Sequence, residues 1–240
     1  MSFYHGKSTK VMLGAVDLSP YLTSMDLAAD ADVADTTAFA AAWKSGLTGA
    51  AGAKVDFGGL YDPGEASLPT LFLTLLPGVL TYCPVGGAAI GDRARLVSAI
   101  EAAYAESSPV GGAVAVKGSF TADGTVGFGD VLHPLAEDTN TTTGADRDDA
   151  ASSSTGWTAH LHVTAVDAGS WVVKLQDAAT NDWADVTDGA FTAATTATSQ
   201  RLQSAAITTD LRQHVRYVAT RTGGSAGDGI TFFLAYSRNK

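Results

Sequence analysis

Two histidines two residues apart, His160 and His162, are the first side chains in this sequence whose spacing suggests chemistry. On a strand both emerge on the face opposite Leu161, which is the geometry of half a metal site. Thr158 and Thr164 flank them on that face, and spacing supplies no third ligand, so an ordinary polar outer face is the favoured reading. Asp146-Arg147-Asp148-Asp149 offers carboxylates to a cation but lacks the Gly and the closing Glu of a helix-loop-helix calcium site; a solvated linker explains it better. Gly6-Lys7-Ser8-Thr9 has the ending of a phosphate-binding loop, yet the leading Gly of that motif would fall on Met1 and no strand precedes it. The sequence contains neither a Gly-x-Ser-x-Gly elbow nor a His-Glu-x-x-His pair, so hydrolase readings have no anchor. Glu101 and Glu106 need no catalytic role, and lone Cys83 can make neither an internal disulfide nor a zinc site; it reads as a small buried hydrophobe. No catalytic, cofactor-binding or metal-binding residue is expected, and no enzyme.

Two further groups remain. Flat indoles stack on sugar rings, and Trp157, Trp171 and Trp183 invite that use. Trp157 and Trp171 share the apolar faces of their strands and belong to a core, which leaves Trp183, beside Asn181 and Asp182, as the candidate exposed aromatic. Asp26, Asp30, Asp32 and Asp35 bring like charges together with no basic residue between them, so the segment must be exposed. It reads either as a solvated loop or as an acidic surface that repels another polyanion.

The elements that must position these residues follow from composition and periodicity. The chain has 240 residues, 45% apolar and only 17% charged, with 26 Gly, which suits packed β structure with many turns. The net charge of −10 disfavours a protein that grips phosphate backbones. The N-terminal stretch lacks an apolar h-region, so a soluble protein made without a secretion signal is expected. The apolar run Leu68 to Leu80 is broken by Pro69 and Pro77 and falls short of the roughly 20 residues of a membrane span.

Glu137 to Gly156 contains no large apolar residue and reads as a linker between residues 1–136 and 157–240. In the first part, Lys10 to Asp17, Met25 to Leu27, Ala53 to Tyr61 and Val79 to Cys83 read as strands, with Pro20 in a turn. Leu68 to Leu76 is apolar throughout and fits a buried strand or a short core helix. Leu96, Val97, Ile100, Ala103 and Tyr104 form one helical stripe, which predicts a helix over Arg93 to Ala105 with Asp92 as its N-cap. Gly112 to Phe120 and Thr125 to Leu132 read as a hairpin closed at Asp123-Gly124. After the linker every segment reads as β: Trp157 to Val166, Trp171 to Leu175, Arg201 to Ile207, His214 to Arg221 and Ile230 to Tyr236. The expected class is mainly β (α+β): a β-sandwich with one flanking helix, followed by a second all-β sandwich.

The order of the early elements carries a resemblance. An opening strand, Asp17-Leu18-Ser19-Pro20-Tyr21-Leu22, the acidic segment into Asp35-Thr36-Thr37-Ala38-Phe39, then Gly46-Leu47 and Ala53 to Asp62 resembles the N-terminal part of the major tail tube proteins of long-tailed bacteriophages. The expected helix and hairpin look like the same fold. Leu175-Gln176-Asp177, Trp183-Ala184-Asp185-Val186 and Val215-Arg216-Tyr217-Val218 look like accessory sandwich domains of virion proteins. The resemblance implies a structural subunit that partners itself in hexameric rings, stacked into a tube with other tail proteins, through which DNA passes without tight binding. It implies a virion tail location after assembly in a bacterial cytoplasm, no membrane and no cofactor. Asp26, Asp30, Asp32 and Asp35 are then candidates for the lumen or an exposed loop, and the inter-ring loop falls in Thr36 to Lys54 or in Glu137 to Gly156. A capsid decoration protein and a glycan-binding module are the alternatives.

Overall fold

The computed structural model describes residues 6–37, 43, 45–61, 77–206 and 210–239. The run Leu68 to Leu76, Phe39 and Ile207 lie outside them. The chain divides into two compact units that interleave along the sequence: unit 1 is Met1–Pro20, Gly78–Ser98 and Val126–Lys240, and unit 2 is Tyr21–Pro77 and Ala99–Thr125.

Unit 1 holds two antiparallel sheets. The first uses β1 (Lys10–Leu13), β2 (Val16–Asp17), β5 (Pro77–Cys83), the start of β6 (Arg93–Ser107), β8 (Gly127–Asp138), β11 (Trp157–Val166), β14 (Thr198–Gln203) and β16 (Ile230–Arg238), in the order β14-β11-β16-β8-β6-β5-β1-β2. The second uses β10 (Arg147–Asp148), β15 (His214–Thr222), β12 (Ser170–Ala178) and β13 (Ala184–Ala190), with β9 (Thr142–Thr143) also paired to β15. Segment 137–156 thus carries two short strands, both hydrogen-bonded to β15.

Alternation builds the core between these sheets. Trp157, Ala159, Leu161 and Val163 on β11 meet Trp171, Val173 and Leu175 on β12 and Val215, Tyr217 and Ala219 on β15 in one apolar cluster. A second cluster, with Met12, Cys83, Leu96, Val131, Phe233 and Ala235, covers the other side of the first sheet. β11 is therefore buried on both faces over most of its length. Burial pushes the Cys83 thiol up to about 12, so it is an inert core atom.

Unit 2 is a four-stranded antiparallel sheet in the order β3 (Leu22–Asp35), β4 (Gly46–Leu60), β7 (Ala115–Ala122) and the latter part of β6. One face is apolar: Val55 and Phe57 are buried, and Phe57 stacks on Phe120 with ring centroids 5.4 Å apart. Gly118 is required there, because a Cβ would sit 2.3 Å from the Phe57 ring.

Two expectations are corrected. No helix forms over Arg93 to Ala105: those residues are in β6, so the fold is β without the flanking helix. A strand pattern competes in the same residues, with Ala94 and Leu96 buried, then Val97, Ala99 and Glu101, while Ile100 of the supposed helical stripe is 41% exposed. Pairing to β7, the next strand along the chain, and to β8 beyond it overrides local helix propensity. Asp92 caps no helix; its Oδ2 accepts the N–H groups of Gly87, Ala88 and Ala89 at 2.7, 3.0 and 3.0 Å and closes the loop before β6. Nor do β7 and β8 form a hairpin with each other: among the described residues each pairs with β6 instead.

Candidate functional site

The acidic row lies on β3, and the pleat sorts it. Asp26, Asp30 and Asp32 alternate onto one face, all exposed, while Asp35 has the opposite parity. Asp26 stands directly across from Asp56 on β4, and Ala28 across from Lys54. Like charges at directly opposed positions are unfavourable. Lys54 offsets this, reaching Asp56 at 2.8 Å along its own strand. Asp35 serves locally at the loop end of the hairpin: its Oδ1 accepts the Thr37 N–H at 2.8 Å, and hydrogen bonds from Thr37 hold its carboxyl below the usual range. Asp56 and Lys54 were not singled out by sequence; their two-residue spacing on a strand is the signal that places them on the face with Asp26.

β3 is also an edge. Among the described residues it pairs only with β4, through a register from Leu22–Gly59 to Asp35–Gly46. Among the described residues, its fourteen residues therefore have no strand on their other side. Near the far end of this hairpin Val33 and Leu47 are 68% and 67% exposed.

His160 and His162 do not occupy a polar outer face, as their flanking threonines suggested: both are fully buried. Their hydrogen bonds fix a proton order. The Gly14 carbonyl can only accept, so His162 Nδ1 donates to it at 2.7 Å. His162 Nε2 then accepts the Thr81 hydroxyl at 2.7 Å, and Thr81 Oγ1 accepts from His160 Nδ1 at 3.1 Å. His160 Nε2 is left unprotonated and, among the described residues, without a hydrogen-bond partner. Desolvation pushes the His162 imidazole down to about 4 and that of His160 well below its usual value, so both are neutral at pH 7. Thr81, supplied by β5, had no sequence signal pointing to it.

The remaining motifs resolve into structure. The carboxylates of Asp146-Arg147-Asp148-Asp149 are each taken by protein partners: Asp146 Oδ2 meets His214 Nδ1 at 2.9 Å, Asp148 accepts from Gln213 at 2.8 Å, and Asp149 accepts from Tyr236 Oη at 2.5 Å and Arg238 Nε at 2.7 Å, while Arg147 meets Asp130 at 2.8 Å and Asp149 at 3.5 Å. Among the described residues no three His, Cys, Asp or Glu are placed to hold a metal ion. Gly6–Ser8 is a single turn of 3-10 helix beside a cavity of about 520 Å³ whose lining includes Lys7, Thr9, Lys10 and Gly87. Thr9 and Lys10 are already engaged there, with the Pro84 carbonyl and with Asp17. Trp157 and Trp171 are buried as expected, and Trp183 is half-buried with the Arg216 guanidinium 4.0 Å from its ring centroid.

No family model and no curated protein matches this chain. Solved structures similar at low identity include the following three. One is a chain from the virion of a native gene transfer agent particle, 13% identical over 52% of this chain and 98% of that one, with a TM-score of 0.41. Another is from the tail of an empty gene transfer agent particle with C6 symmetry, 12% identical over 52% and 98%, with a TM-score of 0.42. The third is the Dit protein of phage SPP1, described as a hub of the adsorption apparatus of phages infecting Gram-positive bacteria. It is 13% identical over 95% of this chain and 98% of its own, with a TM-score of 0.35. Likeness this weak carries no functional argument.

Proposed function

We propose that this chain is a non-catalytic structural subunit of a bacteriophage tail, a tail tube component that associates with itself into rings around a channel for DNA. The observation that carries this reading is β3: a 14-residue edge strand, unpaired on one side among the described residues, whose exposed face bears Asp26, Asp30 and Asp32. An open edge of that length is a template for another strand, and closing a sheet into a barrel removes the edge altogether. The early-element likeness to tail tube proteins supports the same reading, although the part of it that rested on a helix falls away.

Dimensions decide whether such a ring can conduct DNA. With strands ~4.8 Å apart and tilted by ~40°, each strand occupies ~6.3 Å of circumference. A duplex ~20 Å wide, with ~5 Å of side chain on either side, needs a backbone diameter of ~30 Å, or about 15 strands. At four strands per copy, about four copies are the minimum and six give ~38 Å of clear bore. The acidic face then lines the channel and keeps the phosphate backbone from adhering.

Sedimentation velocity and negative-stain microscopy of the purified chain test this. Closed rings with a central hole wider than a duplex are expected, growing with concentration; a strict monomer at every concentration overturns it. Replacing Asp26, Asp30 and Asp32 together by Lys should leave the rings intact and slow DNA release from virions. Unchanged release would remove the acidic face from the channel.

A further inference from the structure

The outer face of the second sheet of unit 1 gathers polar planar side chains around the one tryptophan of that unit that is not sealed in its core. Trp157 and Trp171 are fully buried, whereas Trp183 sits at the entry to β13. The turn before it is braced: Asp182 Oδ1 accepts the N–H groups of Ala179 and Thr180 at 3.0 and 3.1 Å, and Asp182 Oδ2 accepts Arg212 Nη1 at 2.7 Å. Arg216 lies over the indole at 4.0 Å, and the His214 ring meets it edge-on at 6.5 Å.

From Arg216 a chain of hydrogen bonds crosses three strands. Arg216 directs Nε and Nη2 to Gln176 Oε1 at 3.0 and 2.8 Å. Gln176 Nε2 donates to Asp185 Oδ1 at 2.8 Å, and Lys174 Nζ donates to Asp185 Oδ2 at 2.7 Å. The register accounts for it, since Gln176 pairs with both Arg216 and Asp185. Each side chain is thus held in place, with donors left over on Arg216 and Lys174 and lone pairs left over on Asp185. Lys174 pairs with Asp185, Arg212 with Asp177 and Asp182, and His214 with Asp146, while Arg216 is bound to neutral Gln176, so the formal charges of the patch nearly cancel, while the chain as a whole carries −10.

We propose that this patch binds a neutral hexose-based glycan. Arg216 covers one face of the half-buried Trp183 indole, and the other face is the flat apolar surface that the C–H face of a pyranose needs, while fixed donors and acceptors beside it match a ring of hydroxyls, each of which both donates and accepts. Charge balance favours a neutral ligand over a polyanion, which the overall charge repels. The site goes beyond ring formation and does not depend on it, because all of its residues belong to unit 1 and β3 belongs to unit 2.

The test is a titration of the full chain, followed by NMR on its four indole N–H signals, with gluco-, galacto-, manno- and N-acetylglucosamine-based trisaccharides up to about 10 mM. The Trp183 signal should move saturably with at least one sugar, while those of Trp157 and Trp171 stay fixed. Trp183→Ala should abolish binding, and Gln176→Ala should weaken it about tenfold by freeing Arg216 and Asp185, with the Trp157 and Trp171 signals unchanged as proof that the core persists. Three results overturn the proposal: no saturable shift with any of the sugars, equal movement of the exposed Trp43 signal, or binding that survives Trp183→Ala.

Discussion

β11 in unit 1 and β3 in unit 2 treat their polar groups in opposite ways. β11 is buried on both faces and places two histidines inside the protein, where Thr81 and the Gly14 carbonyl take up three of their four ring nitrogens. β3 keeps three carboxylates in water and leaves one side of its backbone unpaired among the described residues. The difference separates two tasks: unit 1 spends its sequence on a sealed core, whereas unit 2 presents an edge and a charged face to whatever lies outside.

Core truncation should show the contrast most strongly. Trp171→Ala removes a fully buried indole from the main cluster and should cost about 3–5 kcal/mol in urea unfolding, whereas Val33→Ala on the exposed hairpin should stay within about 0.5 kcal/mol. Similar costs at the two sites would erase the distinction.

Acid should act on unit 1 next. His162 is held neutral with its folded value pushed down to about 4 from 6.5, so the unfolded chain binds its proton first. Its contribution is complete above pH 6.5 and is lost as pH falls from there toward 4, about 3 kcal/mol in all. Urea midpoints measured across that interval should fall with pH, and His162→Asn should flatten the slope. A flat profile in the parent chain would mean that the pair is not sealed.

The smallest effect belongs to β3. Asp26→Lys replaces a like-charge pair with Asp56 by an attractive one and should stabilise the chain by about 0.2–1 kcal/mol. A loss would show that Asp26 does not face Asp56 across the strand pair.

The β nature of the molecule, the core tryptophans and the inward face of β11 were legible because alternation in Trp157 to Val163 has a single reading. Arg93 to Ser107 was not, since Ala, Glu and Leu favour a helix locally while partners elsewhere in the chain decide for a strand. The histidines were misread for a related reason: flanking threonines mark a polar face, but only the fold reveals that another layer covers it. Asp26, Asp30 and Asp32 could be grouped from sequence, yet the parity that excludes Asp35 and the alignment that adds Asp56 needed the register of β3 with β4. Trp183 was singled out as exposed, but Arg216 and Gln176 lie across neighbouring strands and had no signal near it.

A cryo-electron microscopy reconstruction of the assembled rings, at a resolution that traces β3, tests the central claim most directly. The unpaired edge of β3 should be hydrogen-bonded to a strand of the neighbouring copy, with Asp26, Asp30 and Asp32 facing the channel. A ring in which that edge still faces solvent, or in which other residues line the bore, would contradict the account.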